Sequence, residues 1–102
     1  IVGEQPADFI DQFKLDLAVI GASAIDEEGA LLDYDYREVR VARAIIANAR
    51  RILLAADHSK FARAAPVRIA HISQTDTFVT DTAPPDAVRA LCAQHGVSIT
   101  LA

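Results

Sequence analysis

The amino-acid sequence predicts an α/β domain, a mainly parallel sheet with flanking helices. Three observations carry this. Ile52-Leu53-Leu54-Ala55-Ala56 is a short, uniformly apolar run that stops abruptly at Asp57-His58-Ser59-Lys60-Phe61. Such a run reads as a strand buried on both faces, as in a parallel sheet. A long amphipathic segment directly precedes it. Along the chain the order is helix, strand, helix, strand, strand, helix, strand, and such alternation implies parallel strands with right-handed crossovers.

The elements follow in order. Pro6 to Phe13 reads as a short helix: Pro6 suits a first turn, Asp8 suits the positive helix end, and Phe9, Ile10 and Phe13 share a face. Leu15 to Ile20 is a strand stopped by Gly21. Gly21 to Gly29 is a loop, with Gly21 permitting a tight turn and Asp26-Glu27-Glu28 forming an acidic corner. Tyr36 to Arg51 is the clearest helix, because Val39, Ala42, Ile45, Ile46 and Ala49 keep helical spacing. Asp33 or Asp35 can cap its start, and Arg50-Arg51 suit its negative end. The central strand, Ile52 to Ala56, follows at once.

Phe61 to Ala65 is a helical turn or loop ending before Pro66. Val67 to Ile72 is a short strand, and Thr77 to Thr80 is another. Pro84-Pro85 opens a helix running to about Gln94, with Val88, Leu91 and Cys92 inward. Gly96 fits a left-handed stop. Val97 to Leu101 is the last strand.

Composition narrows the function classes. The 102 residues make one domain or part of one. With 52% hydrophobic and 24% charged residues, the chain is an ordinary globular domain. Its net charge of −4 argues against nucleic-acid binding by the chain itself, since that begins with neutralising phosphates. No apolar run is long enough to span a membrane, and no signal peptide opens the chain. The single cysteine, Cys92, reads as a small buried hydrophobe, which suits the cytoplasm. The start at Ile1 without Met points to a fragment or a processed product.

Three strands end in polar groups: Ser23 and Asp26 after the first, Asp57, Ser59 and Lys60 after the second, and Asp81 after the Thr77 strand. If the strands are parallel, these ends share the edge where open α/β sheets bind ligands. Lys60 with nearby hydroxyls and loop amides suits an anion. A sugar phosphate fits, with Lys60 on the phosphate and carboxylates on the hydroxyls. The plainer alternative is that Asp57 caps the following turn and Lys60 is a solvated charge. Glu38 and Arg43 read as surface or interface charges. His58 can contact a ligand through its neighbours, whereas His71 and His95 look incidental. The three histidines lack metal-ligand spacing, so neither a metal nor any other cofactor is expected. Dinucleotide fingerprint, P-loop and nucleophile elbow are all missing.

Gly21-Ala22-Ser23-Ala24-Ile25-Asp26 with Gly29, Glu38 and Arg43 on the helix, Asp57-His58-Ser59-Lys60-Phe61, and Thr80-Asp81 together resemble the C-terminal sensor domain of DeoR-type bacterial transcriptional repressors. The resemblance implies the fold of ribose-5-phosphate isomerase and CoA transferases, here as a partial domain. Residues 1–102 would be its C-terminal part, and a DNA-binding winged helix-turn-helix would lie N-terminal to it. It implies a phosphorylated sugar effector or related small anion, no catalysis, and an oligomeric parent protein. The implied effector pocket comprises Asp57 and Lys60 with Gly21, Ser23 and Asp26 as the facing loop. The family usually has Gly where this chain has Ala24, and often Gly in place of Ala62. Two other functions remain open: a sugar-phosphate isomerase-like enzyme fragment, needing a general base such as Asp57 or Asp81, and a pure oligomerisation domain.

Overall fold

The computed structural model describes residues 14–102. The helix expected over Pro6 to Phe13 lies outside the described residues. The elements are β1 (Leu15–Ile20), β2 (Ala24–Ile25), β3 (Ala30–Asp33), α1 (Tyr36–Asn48), β4 (Ala49–Ala55), β5 (Val67–His71), β6 (Thr77–Thr80), α2 (Asp86–His95) and β7 (Ser98–Leu101). Two 3-10 turns, His58–Ala62 and Ile72–Gln74, lead out of β4 and β5.

β1, β4, β6 and β7 form a four-stranded sheet in the order β1-β4-β6-β7, with every pairing parallel. This is the expected α/β fold with a mainly parallel sheet. The register aligns Ile20, Leu54, Phe78 and Ile99 in one row across all four strands. Side chains alternate faces along a strand, so this row lies on one face. There Leu54 and Phe78 are fully buried and pack with Val39 of α1 and Val88 and Cys92 of α2. Phe78 and Leu54 therefore sit at the centre of the core. The other face is more open: Leu17 and Val19 of the edge strand β1 are 56% and 64% exposed.

The second sheet differs from expectation. β5 does not join the parallel sheet. It pairs antiparallel with β3, which pairs antiparallel with β2, in the order β2-β3-β5. The segment expected as a Gly21–Gly29 loop thus contains a two-residue strand and opens a hairpin. A strand of two residues has no period for sequence reading to detect.

Helix boundaries shift for physical reasons. α1 starts at Tyr36, where the Asp35 carboxylate accepts a hydrogen bond from the Arg37 amide at 2.8 Å. It stops at Asn48 rather than at Arg51, because Ala49 already has extended backbone (φ −97°, ψ 141°). Arg50 and Arg51 belong to β4, not to the helix end, and α1 has no basic residue in its last turn. α2 ends at Gly96, whose φ of +71° is the expected left-handed stop.

His71 has a defined structural place. Its Nδ1 accepts from the Ser73 amide at 3.1 Å, so the ring proton sits on Nε2, which donates to the Glu28 carbonyl at 2.7 Å. The Ile72 amide donates to the Gly29 carbonyl at 2.8 Å. Together these bonds fasten the acidic hairpin turn to the end of β5. Cys92 is buried as expected, and burial pushes its thiol pKa up.

Candidate functional site at the carboxyl edge of the parallel sheet

Because β1, β4 and β6 run the same way, their carboxyl ends lie on one edge. The Ala56 amide donates to the Val79 carbonyl at 3.1 Å, holding the ends of β4 and β6 side by side. Gly21, just after β1, lies beside Ala55: a methyl at Gly21 would sit 3.7 Å from the Ala55 carbonyl oxygen, an ordinary contact. Gly21 does not have positive φ, so its conformation is one that other residues can adopt.

Asp57 caps the turn that follows β4. Its Oδ1 accepts from the Ser59 amide at 2.9 Å and, at closer range, from the Ser59 hydroxyl. The Ser59 hydroxyl, then the Ser59 amide, lower the Asp57 pKa, and Lys60 adds to this. The Lys60 amide donates to the Asp57 carbonyl at 3.2 Å, closing the turn. Phe61 anchors the turn from below, meeting Phe78 edge-on with ring centroids 6.1 Å apart. β2 packs against this same turn, which brings the loop after β1 to the segment after β4. Among the described residues, the Lys60 ammonium forms no hydrogen bond or ion pair.

Asp81, after β6, reaches across to His58. Its Oδ1 accepts from the His58 amide at 2.9 Å and its Oδ2 from the ring Nδ1 at 2.7 Å. The contact raises the His58 pKa and lowers that of Asp81, chiefly through the side-chain hydrogen bond between them.

The facing loop is tied into the antiparallel sheet. The Ser23 hydroxyl donates to Asp33 Oδ1 at 2.9 Å, and its amide donates to the Leu32 carbonyl. Asp26 Oδ1 accepts from the amides of Glu28 at 3.0 Å and Ala30 at 2.8 Å, so this oxygen shapes the hairpin turn. Ala24 is fully buried in β2, so its methyl packs in the interior. The sequence offers Asp33 as a helix-cap candidate; the structure gives that cap to Asp35 and sets Asp33 against Ser23 instead.

The edge thus brings together Asp57, Ser59, Lys60 and Asp81, with β2 packed against their turn, while the polar groups of Ser23 and Asp26 are bonded into the hairpin. Glu38 and Arg43 make none of these contacts. Arg43 donates to the Arg68 carbonyl, tying α1 to β5. Glu38 lines a cavity of about 390 Å³ between β1 and α1, together with Gly21, Arg37 and Val41. Among the described residues, no cluster of His, Cys, Asp or Glu could hold a metal ion.

The DeoR C-terminal sensor domain family matches residues 1–82. The chain belongs to that family. This sensor domain is 46% identical over 101 residues to the glycerol-3-phosphate regulon repressor of Escherichia coli, covering 99% of this chain and 40% of that protein. It is 50% identical over 91 residues to the repressor of the same name in Haemophilus influenzae, covering 89% of this chain and 36% of that protein. It is 36% identical over 101 residues to the HTH-type transcriptional repressor CsqR of Escherichia coli, covering 99% of this chain and 39% of that protein. The sensor domain therefore spans about 40% of the length of the curated relatives it matches. The family is one of sensors, and these relatives are named as repressors, not enzymes. Among the described residues, no helix is long and apolar enough to cross a membrane.

Proposed function

We propose that this chain is the effector-binding and oligomerisation portion of a cytoplasmic, DNA-binding repressor of sugar metabolism, and that its effector is a phosphorylated sugar or related small anion. Within that class, glycerol 3-phosphate is the favoured candidate, because relatives 46% and 50% identical are named glycerol-3-phosphate regulon repressors. DNA contact belongs to an N-terminal domain of the full-length protein. The acidic sensor, with net charge −4, is unsuited to that contact.

One observation supports this most: the unpaired Lys60 ammonium stands on the edge shared by the Asp57 cap, Asp81 and the Gly21–Asp26 loop. Lys60 takes the phosphate. Asp57, whose Oδ1 is committed to Ser59, offers Oδ2 to a hydroxyl of the effector. Ser59, Gly21, Ser23 and Asp26 shape the walls. Homo-oligomerisation of the full-length protein belongs to the same reading, as the family resemblance implies. Induction is a population shift: the effector binds one conformation better than the other, and DNA affinity follows.

The test is calorimetry on the full-length gene product. Titration with sn-glycerol 3-phosphate should show saturable binding, and glycerol should show none. Lys60→Ala should weaken binding at least about tenfold, the size of a charge-assisted contact to phosphate, with folding intact. Equal affinity in Lys60→Ala would remove Lys60 from the site.

A further inference from the structure

We propose that His58 is a second cationic contact for the effector's phosphate, and that Asp81 acts through His58 as its positioning residue. This rests on the function proposed above and assigns the charge-reading part of that site.

Geometry carries the assignment. Asp81 grips His58 at two points, the backbone amide at 2.9 Å and the ring Nδ1 at 2.7 Å. Both Asp81 oxygens are thereby used on His58, and Oδ1 also lies 3.5 Å from the Thr80 hydroxyl. A carboxylate so occupied is poorly placed to accept from a sugar hydroxyl as well. The grip fixes the ring's rotation. Since Nδ1 donates to Asp81, the second ring nitrogen, Nε2, faces away from it. The His58 side chain is 68% exposed, and no partner holds Nε2 among the described residues. A protonated ring therefore presents one N–H to solvent, two residues from the equally unpartnered Lys60 ammonium.

The groups facing His58 are few. Asp81 approaches from the end of β6, and Asp57 lies on its own turn and further favours the charged ring. Lys60 is the cation on that turn. β2, packed against the turn, brings only Ala24 and Ile25. Two carboxylates therefore favour the imidazolium, and a phosphate dianion would add to their effect. A monoester dianion carries about two charges and three acceptor oxygens, more than one ammonium can satisfy. His58 and Lys60 together match it better than either does alone. Uncharged sugars lack the group both residues read, so the pair selects for phosphorylation.

The test uses the full-length gene product and sn-glycerol 3-phosphate, titrated calorimetrically from pH 6.5 to 9, where the monoester is mostly dianionic, its second pKa being about 6. Wild type should bind about tenfold more tightly than His58→Gln near pH 6.5, the size of one charge-assisted hydrogen bond, and the gap should close towards pH 9. His58→Asn, which can still donate to Asp81 but lacks Nε2, should lose the same advantage while keeping the turn folded by circular dichroism. Asp81→Asn should move the midpoint of the wild-type pH profile downward, a change that a merely structural role would not produce. Superimposable pH profiles for wild type and His58→Gln, with Lys60→Ala still impaired, would overturn the role of His58 and leave the proposed function standing. A folded wild type that binds no phosphorylated polyol would overturn both.

Discussion

Among the described residues, replacing Gly29 by alanine should be the most damaging of the glycine substitutions. Gly29 has φ +87°, a conformation that costs a residue with a Cβ roughly 1–2 kcal/mol. The added methyl would also lie 2.9 Å from His71 Nε2, 2.9 Å from Ile72 Cγ2 and 3.0 Å from Leu91 Cδ1. Real Cβ atoms essentially never approach as closely as the first two, so the bonded His71 ring and the buried Ile72 side chain must shift and Leu91 must give slightly. Overpacking of this kind costs roughly 1–3 kcal/mol. The sum is about 3 kcal/mol, which for a domain near 100 residues lowers Tm by roughly 12–24 °C. Two controls separate the contributions. Gly96 shares the left-handed backbone, with φ +71°, but has open space around it, so Gly96→Ala should lose about 1 kcal/mol. Gly21 has neither positive φ nor a close neighbour, so Gly21→Ala should stay within about 0.5 kcal/mol of wild type. Urea unfolding followed by far-ultraviolet circular dichroism reads all three. A Gly29→Ala protein no less stable than Gly96→Ala would refute the steric part of this reasoning.

Two further outcomes follow from the core and the edge. Phe78→Ala should destabilise by about 3–5 kcal/mol in the same urea assay, because a fully buried ring is removed from the row that joins all four parallel strands. The His58–Asp81 contact should stabilise the fold most between pH 3.8 and 6.5, the ordinary values of the two groups. His58 has a raised folded pKa, so its contribution is complete below 6.5 and is lost as pH rises through that raised value. Asp81 has a lowered folded pKa, so its contribution is complete above 3.8 and is lost as pH falls through that lowered value. The Tm difference between wild type and His58→Ala should therefore be greatest inside this window and shrink towards pH 9; a difference that grows towards pH 9 would contradict the assignment.

The parallel sheet was legible because its signals are local. Leu15–Ile20 and Thr77–Thr80 are bounded by glycine or polar residues, and the structure places both strands at those limits. Asp35, Gly96 and the apolar spacing of α1 likewise act within a few residues of where they stand. The failures are nonlocal. Nothing in Val67–His71 says which sheet it joins; that is decided by β3, some 35 residues earlier in the chain. The end of α1 was misplaced because Ala49 fits the helical stripe and the β4 pairing equally well, and the pairing with Leu15 prevails.

At the edge, sequence order alone pointed to the three strand ends, because parallel strands must bring like ends together. It could not show how their side chains divide the work. The Asp81 link to His58 spans 23 residues, and the Ser23 link to Asp33 runs into a hairpin that had not been expected. Asp57 acts as the plain alternative supposed, capping its turn, and the same cap fixes the backbone that carries Lys60.

Ser23 and Lys60 are mounted on different frameworks, one on the hairpin layer through Asp33 and the other on the parallel layer through Phe61 and Phe78. The gap between them is consequently set by how two slabs seat against each other, not by the stiffness of either slab. Swapping a residue at the Ala24–Ile25 seam would widen or narrow that gap without altering any polar side chain.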